Sequence, residues 1–91
     1  MSKKSVIRFT ATWCAPCRAL KPVMENLQKE DTSNISWETI DIDVLPETAL
    51  AYEIRSVPTV VFVKDGEILS KLVGIYPRTE YVKALEELEN A

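Results

Sequence analysis

Apolar and polar positions change period several times along the chain, and each change marks an element. Ser5 to Thr10 is rich in β-branched and aromatic residues and reads as a mostly buried strand, with Arg8 as its one charge. Beyond Cys14, the residues Leu20, Val23, Met24 and Leu27 recur at i, i+3, i+4 and i+7, which predicts a helix from about Pro16 to Lys29. Pro16 suits its first turn, whereas Pro22 falls in the interior, removes a donor and predicts a kink near Arg18. Ile35 to Ile42 returns to strand chemistry, and Asp43 to Pro46 turns the chain. Pro46 to about Glu53 is a short helix in which Leu50 and Ile54, four apart, mark the apolar side beside Tyr52. Thr59 to Val63 is a continuous apolar strand, and Lys64-Asp65-Gly66-Glu67 joins it by a tight hairpin to Ile68 to Val73, which Gly74 closes. From Arg78 onward Tyr81, Ala84, Leu85 and Leu88 define a last amphipathic helix.

The order β-α-β-α-β-β-α predicts an α/β fold. Its first part is a right-handed crossover and its last part a hairpin covered by a helix, which together imply a four-stranded mixed sheet flanked by three helices. Length and composition refine this picture. Ninety-one residues with 46% hydrophobic content suit one small domain over 1–91 with a single core. A net charge of -3 removes the basic footprint that nucleic-acid binding needs. No apolar run nears the roughly 20 residues that span a bilayer, and Ser5 to Phe9 is too short for a signal segment, so a soluble, cytoplasmic protein without membrane contact is expected.

The candidate chemistry lies where the first strand gives way to the first helix, at Trp13-Cys14-Ala15-Pro16-Cys17, which holds the chain's only two cysteines. Thiols three residues apart on a first helical turn fall on one side of it, close enough for a disulfide. In a reducing compartment such a pair is a poor permanent staple, since the loop it closes is very short. Zinc is the main rival. A tetrahedral structural site needs about four Cys or His ligands, and the chain has no histidine and no further cysteine, so only a dimer sharing thiolates could complete one. Redox chemistry is the stronger reading, because Cys-x-x-Cys beside a crossover is a redox signature and a helix N-terminus stabilises the reactive thiolate. Cys14, at the edge, is the expected nucleophile, and Cys17, one turn in, the expected resolving thiol.

The chain resembles the thioredoxin family at four separated places. Phe9 to Arg18 is similar to that family's active-site segment, and Pro22 matches its helix proline. Ile54-Arg55-Ser56-Val57-Pro58-Thr59 resembles the segment holding the family's cis-proline, and the Lys64 to Glu67 hairpin and Val73-Gly74 match two further features. The resemblance implies that Trp13, Ala15 and Pro16 shape the contact surface beside the nucleophile. It also implies that Pro58 is cis, freeing the Val57 backbone to pair with an extended substrate, and that Gly74 and Ile75 complete an apolar docking patch. Without it, Trp13 is an ordinary partly buried aromatic, Pro58 is read as trans and Gly74-Ile75 as a strand end. The implied activity is dithiol-disulfide exchange that reduces protein disulfides. The implied partners are disulfide-containing proteins and a thioredoxin reductase or other thiol electron donor, with no bound cofactor or metal and a monomeric chain.

Three departures stand out. Few residues precede Ser5, where thioredoxins have an additional strand and helix, so the core is closer to glutaredoxin size and Ile35 to Asp41 becomes a sheet edge guarded by Glu38 and Asp41. Arg8 occupies the place of the family's buried aspartate beneath the cysteines. It either snorkels outward or pairs with an acid, or, at about 6 Å from a thiolate and an effective dielectric near 20, acts on it by roughly 3 kcal/mol, about two pKa units. In the last case the dithiol is favoured, and Asp41 or Asp43 remains as an alternative acid near Cys17. Ala15 replaces a usual glycine. Two other readings stay open: a glutaredoxin-like, glutathione-dependent reductase, for which no convincing charge pattern is found, and an accessory binding module that uses the same fold without turnover.

Overall fold

A computed structural model of the chain describes residues 2–91. Strand β1 (Lys4–Thr10) is interior to the sheet, parallel to β2 (Ser36–Asp41) on one side and antiparallel to β3 (Thr59–Lys64) on the other. β4 (Glu67–Val73) pairs antiparallel with β3, giving a four-stranded mixed sheet of order β2-β1-β3-β4. Three helices complete the chain: α1 (Ala15–Glu30), α2 (Pro46–Ala51) and α3 (Arg78–Glu89). The expected element order and the exposed place of β2 are therefore observed, with ends moved by one or two residues.

Because β1 and β3 are covered on both faces, their side chains divide between two cores. Val6, Val60 and Phe62 face α1 and α3, where they meet Leu20, Met24, Leu27, Tyr81, Leu85 and Leu88. Ile7, Phe9, Val61 and Val63 face the other way, toward Ala49 of α2 with Tyr52, Ile54 and Val57. The continuous burial of Thr59 to Val63 follows from this double coverage. Arg8 alternates with Ile7 and Phe9, which places it on the Val6 side of β1, under α1.

The hairpin uses both residues of the Asp65-Gly66 turn at positive φ, 51° and 83°, a twist that matches the flanking strands. Its β4 arm is less regular than the sequence pattern suggests. Phe62 pairs with Ser70 but Val63 pairs with Ile68, so Leu69 is an extra residue that bulges one sheet edge.

Pro22 lies inside α1, which is continuous from Ala15 to Glu30. The proline is exposed, and buried Leu20 and Met24 on either side of it anchor both halves to the same sheet face, so packing holds the helix across the missing amide. Leu50 does not mark the buried side of α2. It is 77% exposed, while Ala49 is buried. The helix ends at Ala51, Glu53 takes φ 56°, and the amides of Glu53 and Ile54 donate back to the carbonyls of Leu50 and Ala49, both at 2.9 Å. This Schellman closure brings Ile54 against Ala49 and breaks the helical relation between Leu50 and Ile54. Among the described residues no helix is long and apolar enough to cross a membrane.

Asp31 fixes the connection into the edge strand β2. Its Oδ2 accepts from Trp37 Nε1 at 2.9 Å, and its Oδ1 accepts from the Ser33 amide and hydroxyl at 3.0 and 2.5 Å. Burial favours the protonated acid, but the hydrogen bonds from Ser33 and Trp37 outweigh it and hold the carboxyl below its ordinary range.

Three substitutions test these arrangements. Phe9→Ala should lower unfolding free energy by about 3–5 kcal/mol in urea titrations, since its ring is fully buried and 5.5 Å from that of Tyr52. Leu50→Ala should change it by no more than about 0.5 kcal/mol. The Asp31 contribution should be complete above the ordinary carboxylate pKa and be lost as pH falls through the lowered native value. Asp31→Asn should therefore shift the urea midpoint near neutral pH and cease to matter at the acid end of the titration.

Candidate active site

Four residues, Ala11 to Cys14, carry the chain from the end of β1 to the start of α1. The Ile42 amide donates to Thr10 O at 2.9 Å and the Cys14 amide to Ala11 O at 3.2 Å, which turns the chain out of the sheet. Cys14 has extended backbone angles (φ -94°, ψ 106°) and is the N-cap of α1. Its Sγ accepts from the Cys17 amide at 3.2 Å, taking the role usually played by a hydroxyl or carboxylate oxygen. Pro16 sits in the first turn, where its missing amide costs nothing, and no acidic side chain stands there to oppose an anion.

Cys14 and Cys17 are joined by a disulfide with their Cα atoms 5.2 Å apart. The sequence places Cys14 at the edge, but in this oxidised state both residues are buried, 4% and 2% exposed, against Ala11, Ile42 and Val57. What distinguishes them is position. Cys14 caps the helix beside Val57, whose carbonyl oxygen is 3.6 Å from its sulfur, whereas Cys17 lies one turn in and borders a recess on the β2 side.

Of the remaining residues singled out in the sequence, Val57 packs against this disulfide. The Val57-Pro58 peptide is cis, as the family resemblance implies and proline statistics alone do not. Pro58 O accepts from the Gly74 amide at 2.8 Å, which joins the two segments. Among the described residues the Val57 N–H and C=O take part in no backbone hydrogen bond. Ala15 and Pro16 are exposed, as are Trp13 at 65% and Ile75 at 54%.

Two supporting residues were not assigned such roles from sequence. Trp13 Nε1 donates to Asp43 Oδ2 at 2.9 Å, across 30 positions, so an exposed aspartate fixes the edge of the indole. Tyr81, read as a core residue of α3, also uses its hydroxyl: it donates to Gly74 O at 3.4 Å and accepts from the Tyr76 amide at 3.3 Å. Burial raises the Tyr81 pKa, against the Tyr76 amide, so the donor stays protonated at neutral pH. Asp43 carries no sequence signal for its role beyond lying in a turn. The hydroxyl of Tyr81 offers one, because a buried tyrosine needs a partner.

Arg8 is half-buried between β1, β2 and α1, and its Nη2 donates to Thr39 Oγ1 at 3.2 Å. Burial lowers its pKa and Glu25 opposes this, but a guanidinium remains charged throughout. Arg8 borders the same recess as Cys17, so the sequence reading that puts it behind the cysteine pair agrees with the fold.

A sequence model of the thioredoxin family matches residues 1–87. Thioredoxin of Mycoplasmoides gallisepticum is 38% identical over 85 residues, covering 93% of this chain and 84% of its own length. Thioredoxin of Staphylococcus epidermidis is 37% identical over 82 residues, with 90% and 79% covered. Among solved structures, a mutant thioredoxin from Halobacterium salinarum superposes with a TM-score of 0.86 at 32% identity, covering 96% of this chain and 75% of that one. The Drosophila germline-specific thioredoxin Deadhead gives 0.84 at 29% identity, with 94% and 81% covered.

Gly74 is held at φ +89° with open space where a Cβ would stand. Gly74→Ala should therefore lower stability by about 1–2 kcal/mol in denaturant titrations through backbone conformation alone, without a steric clash.

Proposed function

The chain belongs to the thioredoxin family of thiol-disulfide oxidoreductases, and from that premise we propose that it reduces protein disulfides with Cys14 as nucleophile and Cys17 as resolving thiol. The observation that carries the assignment of roles is the cap: the Cys17 amide donates to Cys14 Sγ at 3.2 Å. Once the disulfide is reduced, that amide and the N-terminal end of the helix favour the Cys14 thiolate. Cys17 has no such position. It is one helical turn deeper, on the recess side and away from Val57 O, and is placed to attack the neighbouring Cys14 sulfur.

The reaction then runs in two exchanges. The Cys14 thiolate attacks one substrate sulfur, forms a mixed disulfide and expels the other substrate sulfur as a thiolate, which takes a proton from water. The Cys17 thiolate next attacks Cys14 Sγ, re-forms the Cys14–Cys17 bond and releases the second substrate thiolate. Two electrons pass from the protein sulfurs to the substrate. Holding Cys17 beside Cys14 replaces a bimolecular release step with an intramolecular one.

Trp13, Ala15, Pro16, Val57, Pro58, Gly74 and Ile75 are the proposed substrate surface. Support comes from the free backbone groups of Val57, which can pair with an extended segment presenting its sulfur to Cys14. The exposed Trp13 and Ile75 side chains flank that line with apolar surface. Electrons to restore the dithiol come, in this reading, from a thioredoxin reductase or another thiol donor in a reducing cytoplasm.

Reduction of insulin disulfides with dithiothreitol as donor tests the proposal. The native chain should accelerate the reaction and Cys14→Ser should fall to background. Cys17→Ser should accumulate a substrate mixed disulfide, seen by mass spectrometry, that Cys14→Ser does not form. Trapping on Cys17 instead would reverse the roles, and a native chain that binds its partner without reducing it would make the fold a binding module.

A further inference from the structure

The sulfur of Cys17 borders a recess of about 320 Å³ between α1 and the β1–β2 side of the sheet. Its charged lining comes from three elements: Arg18 and Lys21 on α1, Arg8 on β1 and Asp41 on β2. Three cations thus face one carboxylate in a chain whose net charge is -3. The guanidiniums are held by neutral oxygens, Arg8 on Thr39 Oγ1 at 3.2 Å and Arg18 on the Thr12 carbonyl at 2.9 Å. Among the described residues the one ion pair is Arg78 with Glu30, far along α1, so none of the three cations is neutralised by contact. Glu25 faces Arg8 from α1, and Glu38 approaches it from β2 in a narrower pocket that Cys17 does not border.

We infer that this recess is an electrostatic seat for the Cys17 thiolate, with Arg8 as the positioning residue that supplies the charge behind it. The inference rests on the exchange reading above, because a resolving thiol acts only as the thiolate. A buried thiol in apolar surroundings resists ionisation, and the residues packed on the other side of Cys17, Ala11, Ile42 and Val57, offer no compensation. The recess does. Arg8 is the most effective of the three cations because it is half-buried and fixed by a hydrogen bond, so solvent and salt screen it less than exposed Arg18 and Lys21. Resolution then requires no general base: the thiolate present at the recess attacks Cys14 Sγ, and the departing substrate thiolate takes its proton from water. Asp41 is the competing candidate, as a base that would remove the Cys17 proton.

The test titrates Cys17 alone, in a Cys14→Ser background, by the pH dependence of its alkylation or of its Cβ chemical shift, so no turnover is needed. Adding Arg8→Gln should raise the Cys17 pKa by about one unit, while Arg8→Lys should retain most of the effect and Asp41→Asn should not raise it. In the two-cysteine protein, Arg8→Gln should also make the disulfide more stable against glutathione by up to about tenfold, ~30 mV. That difference should be absent at low pH, where both proteins carry a protonated Cys17, and open as pH rises through the native Cys17 pKa. An unchanged or lowered Cys17 pKa in Arg8→Gln would overturn the inference. Loss of insulin reduction with the titration as expected would instead overturn the exchange reading.

Discussion

The hydrogen bond from the Cys17 amide to Cys14 Sγ joins the stability of α1 to the chemistry of the site. A helix start leaves amides without partners, and most helices satisfy one with an oxygen at the N-cap. Here the acceptor is the sulfur proposed as the nucleophile. The same amide that organises the first turn is aimed at the atom where negative charge develops when the disulfide opens. Neither function can be moved without the other, and this explains why the surrounding fold is devoted to fixing where α1 begins. β1 is bound on both edges and covered on both faces, so Thr10 leaves the sheet at a fixed point, and the Ala11–Cys14 turn has little freedom in where it delivers the cap.

A second constraint acts from the opposite wall. The cis peptide before Pro58 and the Gly74 amide that donates to Pro58 O bring two distant segments against Cys14. Tyr81 fastens the outer one to α3 through the Gly74 carbonyl and the Tyr76 amide. The site is thus assembled from β1, α1, the approach to β3, the exit from β4 and a buried side chain of α3. Its exposed parts are mostly apolar or backbone, which suits recognition of an extended segment by shape and main-chain pairing more than by charge.

Much of this was legible because several local signals agreed. The period-2 and continuous runs identified the strands, the i, i+3, i+4 spacing of Leu20, Met24 and Leu27 identified α1, and Asp65-Gly66 identified the hairpin turn. Where one local signal was read alone it misled. Leu50 and Ile54 are four apart, yet the positive φ at Glu53 ends the helix between them, and glutamate gives no warning of that conformation. The Trp13–Asp43 and Asp31–Trp37 hydrogen bonds pair residues whose individual types fit many exposed positions. Only the sheet register brings Asp43 to the indole. The cis state of Pro58 likewise required the family resemblance, since a single X-Pro bond favours trans.

The two sides of the Cys14–Cys17 pair now divide the work by charge. On the Val57 side Cys14 meets a helix N-terminus and the free groups of Val57, so its anion is stabilised by oriented dipoles that stay put when a neutral substrate arrives. On the sheet side Cys17, in the first turn of α1 but not at its cap, borders a recess lined by charged side chains. A cation buried for structural reasons would be expected to lie against a carboxylate, because an unpaired buried charge is costly. Arg8 instead remains half-exposed and leans on a threonine hydroxyl, with Glu25 of α1 acting on its charge without an ion-pair contact. Such an arrangement adds little to the stability of the oxidised chain. On the inference drawn above, it would acquire a partner only when the disulfide opens and Cys17 becomes an anion, so the interaction would belong to the reduced state and bias the couple toward it.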